Sequence, residues 1–141
     1  MSASLAFQTA ARAILIANSA VTALIPAGNI IDANGRPELL PRINVGEDQE
    51  VPATQGDQYQ NWTKLFATLH IWNRELGLDG VKAIAYAVRR ALAFQSWTQI
   101  IGANSFRCID TRLQSARYLR DPDGQTAHAV VTFQAIIQDQ S

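Results

Sequence analysis

The chain has 141 residues, 48% of them hydrophobic and 17% charged, which is one domain's worth at roughly 150 residues per domain and enough to bury about 68–70% of the unfolded surface without a metal or disulfide staple. Twelve Lys and Arg balance twelve Asp and Glu, which excludes a bulk positive field drawing it onto nucleic acid or an anionic membrane. No apolar run approaches the roughly 18 residues of a membrane-spanning helix, and the opening Met1-Ser-Ala-Ser leads into a pattern containing Arg12, so neither a helical membrane span nor a secretion signal is expected.

Phe7, Ala11, Ile14 and Leu15 recur at the spacing of one buried helical stripe, with Ser4 as candidate cap. Asn18-Ser19 interrupts that helix, and Ser19 is placed to cap a short second turn running to Leu24, which Pro26-Ala-Gly28 stops. Residues 26–41 hold three of the five prolines and read as an irregular connection with Ile30 and Ile31 tucked inward. Arg42–Glu47 is a short strand candidate. The polar stretch 48–62, with Pro52 and Gly56 as breakers, reads as a mobile loop.

From Lys64 to Asn73, Leu65, Ala67, Leu69 and Ile71 alternate with Phe66, Thr68, His70 and Trp72, predicting a strand with both faces occupied. Val81, Ile84, Ala85, Val88 and Leu92 then repeat at helical spacing, with Asp79 near the N-terminus where its charge suits the dipole. The opposite face of that helix carries Lys82, Tyr86, Arg89 and Arg90, a basic stripe turned away from the core. Two strands, Phe106–Arg120 and Gln125–Gln138, flank Asp121-Pro-Asp-Gly124, whose Pro and Gly positions suit a tight turn. The predicted architecture is an α+β domain, a mainly antiparallel sheet of about four strands with two main helices packed on one face.

The zero net charge conceals segregation. Residues 1–63 carry three arginines against six acids, a balance of minus three; residues 64–120 carry nine basic side chains against three acids, plus six; the remainder is minus three. Ten of the twelve basic residues are Arg, the type enriched at protein interfaces. Candidate interface residues follow: the acids Glu47, Asp48, Glu50 and Asp57 on a loop reaching a neighbour, the exposed-face aromatics Phe66 and Trp72, a surface of Trp72 and Tyr118 beside Arg112, Arg117 and Arg120, and the stripe residues Arg89 and Arg90. Solvated faces, or a loop folded over the aromatics, account for the same residues, and the sequence leaves these alternatives open.

Chemistry finds no foothold. There is no Gly-x-Ser-x-Gly elbow and no phosphate-cradling Gly-x4-Gly-Lys-Ser/Thr loop. His70 and His128 sit in predicted strands where two imidazoles could approach each other, but further metal ligands are not placed, so half-buried strand histidines are the favoured reading. Asp121–Gly124 lacks the spacing of a calcium loop. The lone Cys108 cannot form an internal disulfide, fits a reducing compartment, and reads as a small buried residue. No catalytic, cofactor or metal site is expected.

The ordered features resemble the tail-completion, or tail-terminator, family of long-tailed bacteriophages and phage-derived gene transfer agents over nearly the whole chain. The resemblance is carried by the opening helix with Ser19-Ala-Val-Thr-Ala-Leu-Ile25, Pro41-Arg-Ile-Asn-Val-Gly46, Leu69-His-Ile-Trp-Asn-Arg74, Lys82-Ala-Ile-Ala-Tyr-Ala-Val-Arg89 and Ser115-Ala-Arg-Tyr-Leu-Arg-Asp-Pro-Asp-Gly124. It implies a virion protein, assembled in the host cytoplasm, that forms a hexameric ring at the head-proximal end of the tail. Such a ring ends tube growth and joins the tube protein to a head-completion or stopper protein of the connector, with DNA only as passing cargo. Another head–tail ring component, or a small ligand-binding or enzymatic domain, is the alternative.

Overall fold

The computed structural model describes residues 2–32, 39–52, 61–93, 100–101 and 106–140. Helix α1 spans Ala3–Ala17 and buries Ala3, Ala6, Phe7, Ala11 and Leu15, the stripe its periodicity predicts. Its cap is Ser2, whose hydroxyl accepts from Leu5 N at 3.1 Å, so the cap sits two residues before the expected Ser4. Asn18 serves two helices at once. Its N–H closes α1 on Leu15 O, and its side-chain oxygen accepts from Ala20 N and Val21 N to cap α2, Ser19–Thr22. An amide oxygen one residue before the expected Ser19 thus does the capping, in keeping with the strong N-cap preference of Asn. A 3-10 turn at Ala27–Asn29 leads to the two-residue strand β1, Ile30–Ile31, with Ile30 fully buried.

Four long strands follow: β2 (Arg42–Pro52), β3 (Trp62–Arg74), β5 (Phe106–Arg120) and β6 (Thr126–Asp139). Helix α3 (Asp79–Ala93) lies between β3 and the two-residue β4 (Ile100–Ile101). The sheet order is β1-β2-β3-β6-β5-β4. Every pairing is antiparallel except β1 with β2, which is the expected α+β arrangement with a short strand added at each edge. The β5–β6 hairpin is closed by Gly124 N on Asp121 O, with Gly124 at φ +71°, a left-handed conformation that glycine adopts without a Cβ penalty.

Strand β2 overruns its expected end. It continues through Asp48–Pro52, paired with Ala67–Thr63 of β3, after a bulge between Val45 and Asp48. There Gly46 sits at φ +152° and Glu47 at φ +59°. A bulge moves the following side chains to the other face without ending the ladder, and Asp48 and Glu50 then meet polar groups of α1. Polarity alone therefore read as loop. The rest of that stretch, residues 53–60, lies outside the described residues, as does the Phe94–Trp97 connection.

One face of the sheet makes the core. Leu65, Ala67, Leu69 and Ile71 of β3 lie beside Ala127, Ala129, Val131, Phe133, Ala135 and Ile137 of β6, all essentially inaccessible, under Phe7 and Leu15 of α1 and Val81, Val88 and Leu92 of α3. Fully burying each large apolar side chain contributes about 1.5–3 kcal/mol. Alanines on β6 and on α1 let the helix layer approach the sheet closely. The N-terminus of α3 is fixed from outside the helix. The Glu75 carboxylate accepts from Gly80 N at 2.8 Å and from Val81 N at 3.0 Å, while Asp79 supplies the expected first-turn charge.

Candidate interaction surfaces

The acidic residues of β2 divide between the two faces. Glu47, with a side chain 77% exposed, turns to the face without helices, where its carboxylate lies 3.0 Å from His70 Nε2. Asp48 and Glu50 turn to the helix side. Asp48 accepts from the Ser4 hydroxyl and Glu50 accepts from Ser4 N at 2.9 Å. The first turn of α1 has no acid of its own, so β2 supplies the negative charge that the helix dipole favours. The first part of the expected loop, residues 48–52, is thus a strand that helps to anchor α1. Asp57 lies outside the described residues.

On the open face, period-two placement brings Phe66, Thr68, His70 and Trp72 of β3 beside His128 and Thr132 of β6. His70 Nδ1 lies 2.9 Å from His128 Nε2. Trp72 stacks on His128 at 4.7 Å between centroids, and the Arg42 guanidinium stands 4.4 Å over the indole. Asp121 Oδ1 lies 3.8 Å from His128 Nδ1. Burial pushes His128 below the ordinary imidazole range, the nearby His70 adds to that, and Asp121 opposes it. Two hollows border the cluster. One of about 590 Å³ is lined by Glu47, Gln49, Phe66, Thr68, Gln114 and Thr132, and another of about 370 Å³ by Asp32, Asn44, Glu47, His70, Trp72 and His128. Among the described residues no group of three or more His, Cys, Asp or Glu is arranged to hold a metal ion.

The expected surface joining Trp72 and Tyr118 is divided by strand register. Bulges between Cys108 and Asp110 and between Leu113 and Ser115 reset the faces of β5. Arg112 and Arg117 stand opposite Gln134 and Val130, on the open face, whereas Tyr118 and Arg120 stand opposite Ala129 and Ala127, on the helix side. Arg112 is held by Asp110, with contacts of 2.6 and 3.0 Å. Tyr118 instead joins the α3 stripe. Lys82, Tyr86, Arg89 and Arg90 are all exposed, Lys82 Nζ stands 5.5 Å over the Tyr118 ring, and the Arg90 guanidinium lies 5.9 Å from the Tyr86 ring. Tyr86 is 59% and Tyr118 36% exposed, giving a basic and aromatic patch of the composition that anchors protein contacts.

Sequence reasoning placed the two histidines in strands where their imidazoles could approach each other but missed the roles of Arg42 and Glu75. Their signal exists only in register, Arg42 opposite Trp72, and in the chain reversal between β3 and α3. Cys108 is buried, its sulfur 3.2 Å from Thr111 Oγ1, and burial pushes the thiol above its ordinary range, which deprives it of thiolate character. Among the described residues no helix is long and apolar enough to cross a membrane.

A family model described as tail completion protein gp17 matches residues 9–138. Among solved structures, a chain of the virion of a native gene transfer agent particle superposes with a TM-score of 0.81 at 19% identity, covering 94% of this chain and 95% of that one. The gp17 protein of bacteriophage SPP1 superposes with a TM-score of 0.60 at 18% identity, covering 99% and 94%. At such identities the likeness is one of fold. No curated protein matches the chain. With the family model spanning nearly all of the sequence, the chain belongs to the tail completion protein gp17 family, and is a structural component of phage-type tails and not an enzyme.

Proposed function

We propose that the protein acts as a ring of identical subunits, hexameric as the resemblance implies, at the head-proximal end of the tail. There it ends tube polymerisation and joins the tube to the connector, leaving a channel through which DNA passes as cargo. The observation that carries this reading is charge placement on a neutral subunit. The acids Glu47, Asp48 and Glu50 lie on β2 and the arginines Arg112, Arg117 and Arg120 on β5, at opposite sides of the sheet. A ring puts one patch of each copy against a different patch of the next, and opposite-signed patches steer that association and penalise wrong registers. The α3 patch with Tyr86, Arg89, Arg90 and Tyr118 supplies a second surface for the tube or the connector.

The test is particle assembly without the protein. Particles made in its absence are expected to carry tails of uncontrolled length that are not attached to filled heads. Normal-length tails on filled heads would overturn the reading. Converting Arg89 and Arg90 together to Glu is expected to weaken assembly and alter its salt dependence, and an unchanged profile would remove the α3 stripe from the contacts.

A further inference from the structure

We infer that neighbouring copies join edge to edge, the outer edge of β5 in one subunit pairing antiparallel with the outer edge of β2 in the next, so that one sheet runs on into another. This inference rests on the ring reading and specifies the contact within it.

Among the described residues both edges lack a strand partner over most of their length. Among the described residues, β4 pairs with β5 only at Phe106 and Arg107, and β1 pairs with β2 only at Ile43 and Asn44. Among the described residues, the backbone of β5 from Cys108 to Arg120 and that of β2 from Val45 to Pro52 therefore each have one side without a strand partner. Such an edge presents a row of N–H and C=O groups ready to pair with another chain.

Strand direction fits a second copy. β2 runs antiparallel to β3, β3 to β6 and β6 to β5, so β5 runs opposite to β2. Copies related by rotation about an axis roughly along the strands keep those directions, and β5 then meets the next copy's β2 in the antiparallel sense, which is slightly the more stable pairing per residue. An odd number of long antiparallel strands would have given a parallel junction.

Charge agrees on the open face. A sheet that continues keeps its two faces continuous. Arg112, level with Phe66 of β3, and Arg117, level with His70, come to lie on the same side as Glu47 of the next copy, which stands between those levels in the bulge of β2. Opposite charges across neighbouring strands attract, whereas two β5 edges or two β2 edges would set like charges together. The bulges in β2 and β5 distort both edges away from a flat template and so discourage indiscriminate pairing.

The experiment is cysteine pairing across the proposed seam in the full chain. Gln49 or Val51 on β2 is changed to Cys together with Gln114 or Ser115 on β5. Within one copy these strands are three spacings apart, about 14 Å, beyond the reach of a disulfide, so a bond between them must link two copies. Oxidation of the assembled protein is expected to give a ladder of covalent oligomers ending at the closed ring, with each single replacement, which has only the buried native Cys108 beside the new cysteine, giving none. In unmodified protein, backbone amides of residues 45–52 and 110–118 are expected to exchange more slowly in the ring than in subunits dissociated by salt. Rings by light scattering that show neither ladder nor protection overturn the edge contact and leave the ring reading standing. Monomers at every concentration and in disassembled particles overturn both.

Discussion

His70 Nδ1 and His128 Nε2 meet at 2.9 Å across β3 and β6, with Glu47 3.0 Å beyond the first imidazole and Asp121 3.8 Å beyond the second. Since the Glu47 carboxylate only accepts, His70 Nε2 carries a proton. A neutral His70 then offers its Nδ1 lone pair to the N–H of His128. Two cationic rings would set N–H against N–H and break the contact.

Stability should accordingly fall with acidification through His128. Burial holds the native imidazole below the value it has when unfolded. The unfolded chain therefore takes up the proton first, and stability present above about pH 6.5 is lost as the pH falls through the depressed native value. Thermal unfolding at about pH 7.5 and about pH 5.5 should show a smaller loss for His128→Gln than for the parent. Equal losses would assign the acid sensitivity to other groups.

Glu75 should be worth more than its place in a short connection suggests. Its two oxygens serve Gly80 N and Val81 N, so Glu75→Ala removes a cap and is expected to cost about 1–2 kcal/mol in denaturant unfolding. Gly80→Ala should also destabilise, although Ala is the better helix former, because its Cβ would collide with the Glu75 carboxylate and the Asn73 amide. The double variant should lose less than the sum of the two. Strict additivity would separate the cap from the glycine.

Cys108 should be a reporter of unfolding and not a reactive site. Its side chain is inaccessible and burial raises its thiol pKa, so a thiol reagent at neutral pH should label it slowly in the native protein and promptly in denaturant. Prompt labelling of the native state would mean that β5 opens locally at its bulge.

Much of the fold was legible because helix and strand periods are local properties. The stripe of Phe7, Ala11 and Leu15, the alternation of β3 and β6 and the Asp121–Gly124 turn all appear in the structure as read. Asp48 and Glu50 were misread as loop because their partner, Ser4, is more than forty positions away. Of the companions given to Tyr118, Arg120 shares its side of the sheet, whereas Trp72 and Arg117 stand on the other face by simple alternation and Arg112 is moved there by the bulge between Leu113 and Ser115. Trp72 was correctly placed on the face away from the helices, yet its contact with Arg42 depends on how β2 lies against β3.

Local order along the chain was sufficient to determine the two long helices, three long strands and the first half of β2, the tight hairpin and a neutral total hiding an acidic front and a basic middle, together with the resemblance to tail-completion proteins. Which charges share a face, which edges lack a strand partner among the described residues and which two imidazoles touch were decided only by the tertiary structure. Strand register and bulges are set by hydrogen bonds between segments far apart in sequence, and a one-residue shift there moves every later side chain to the other side of the sheet.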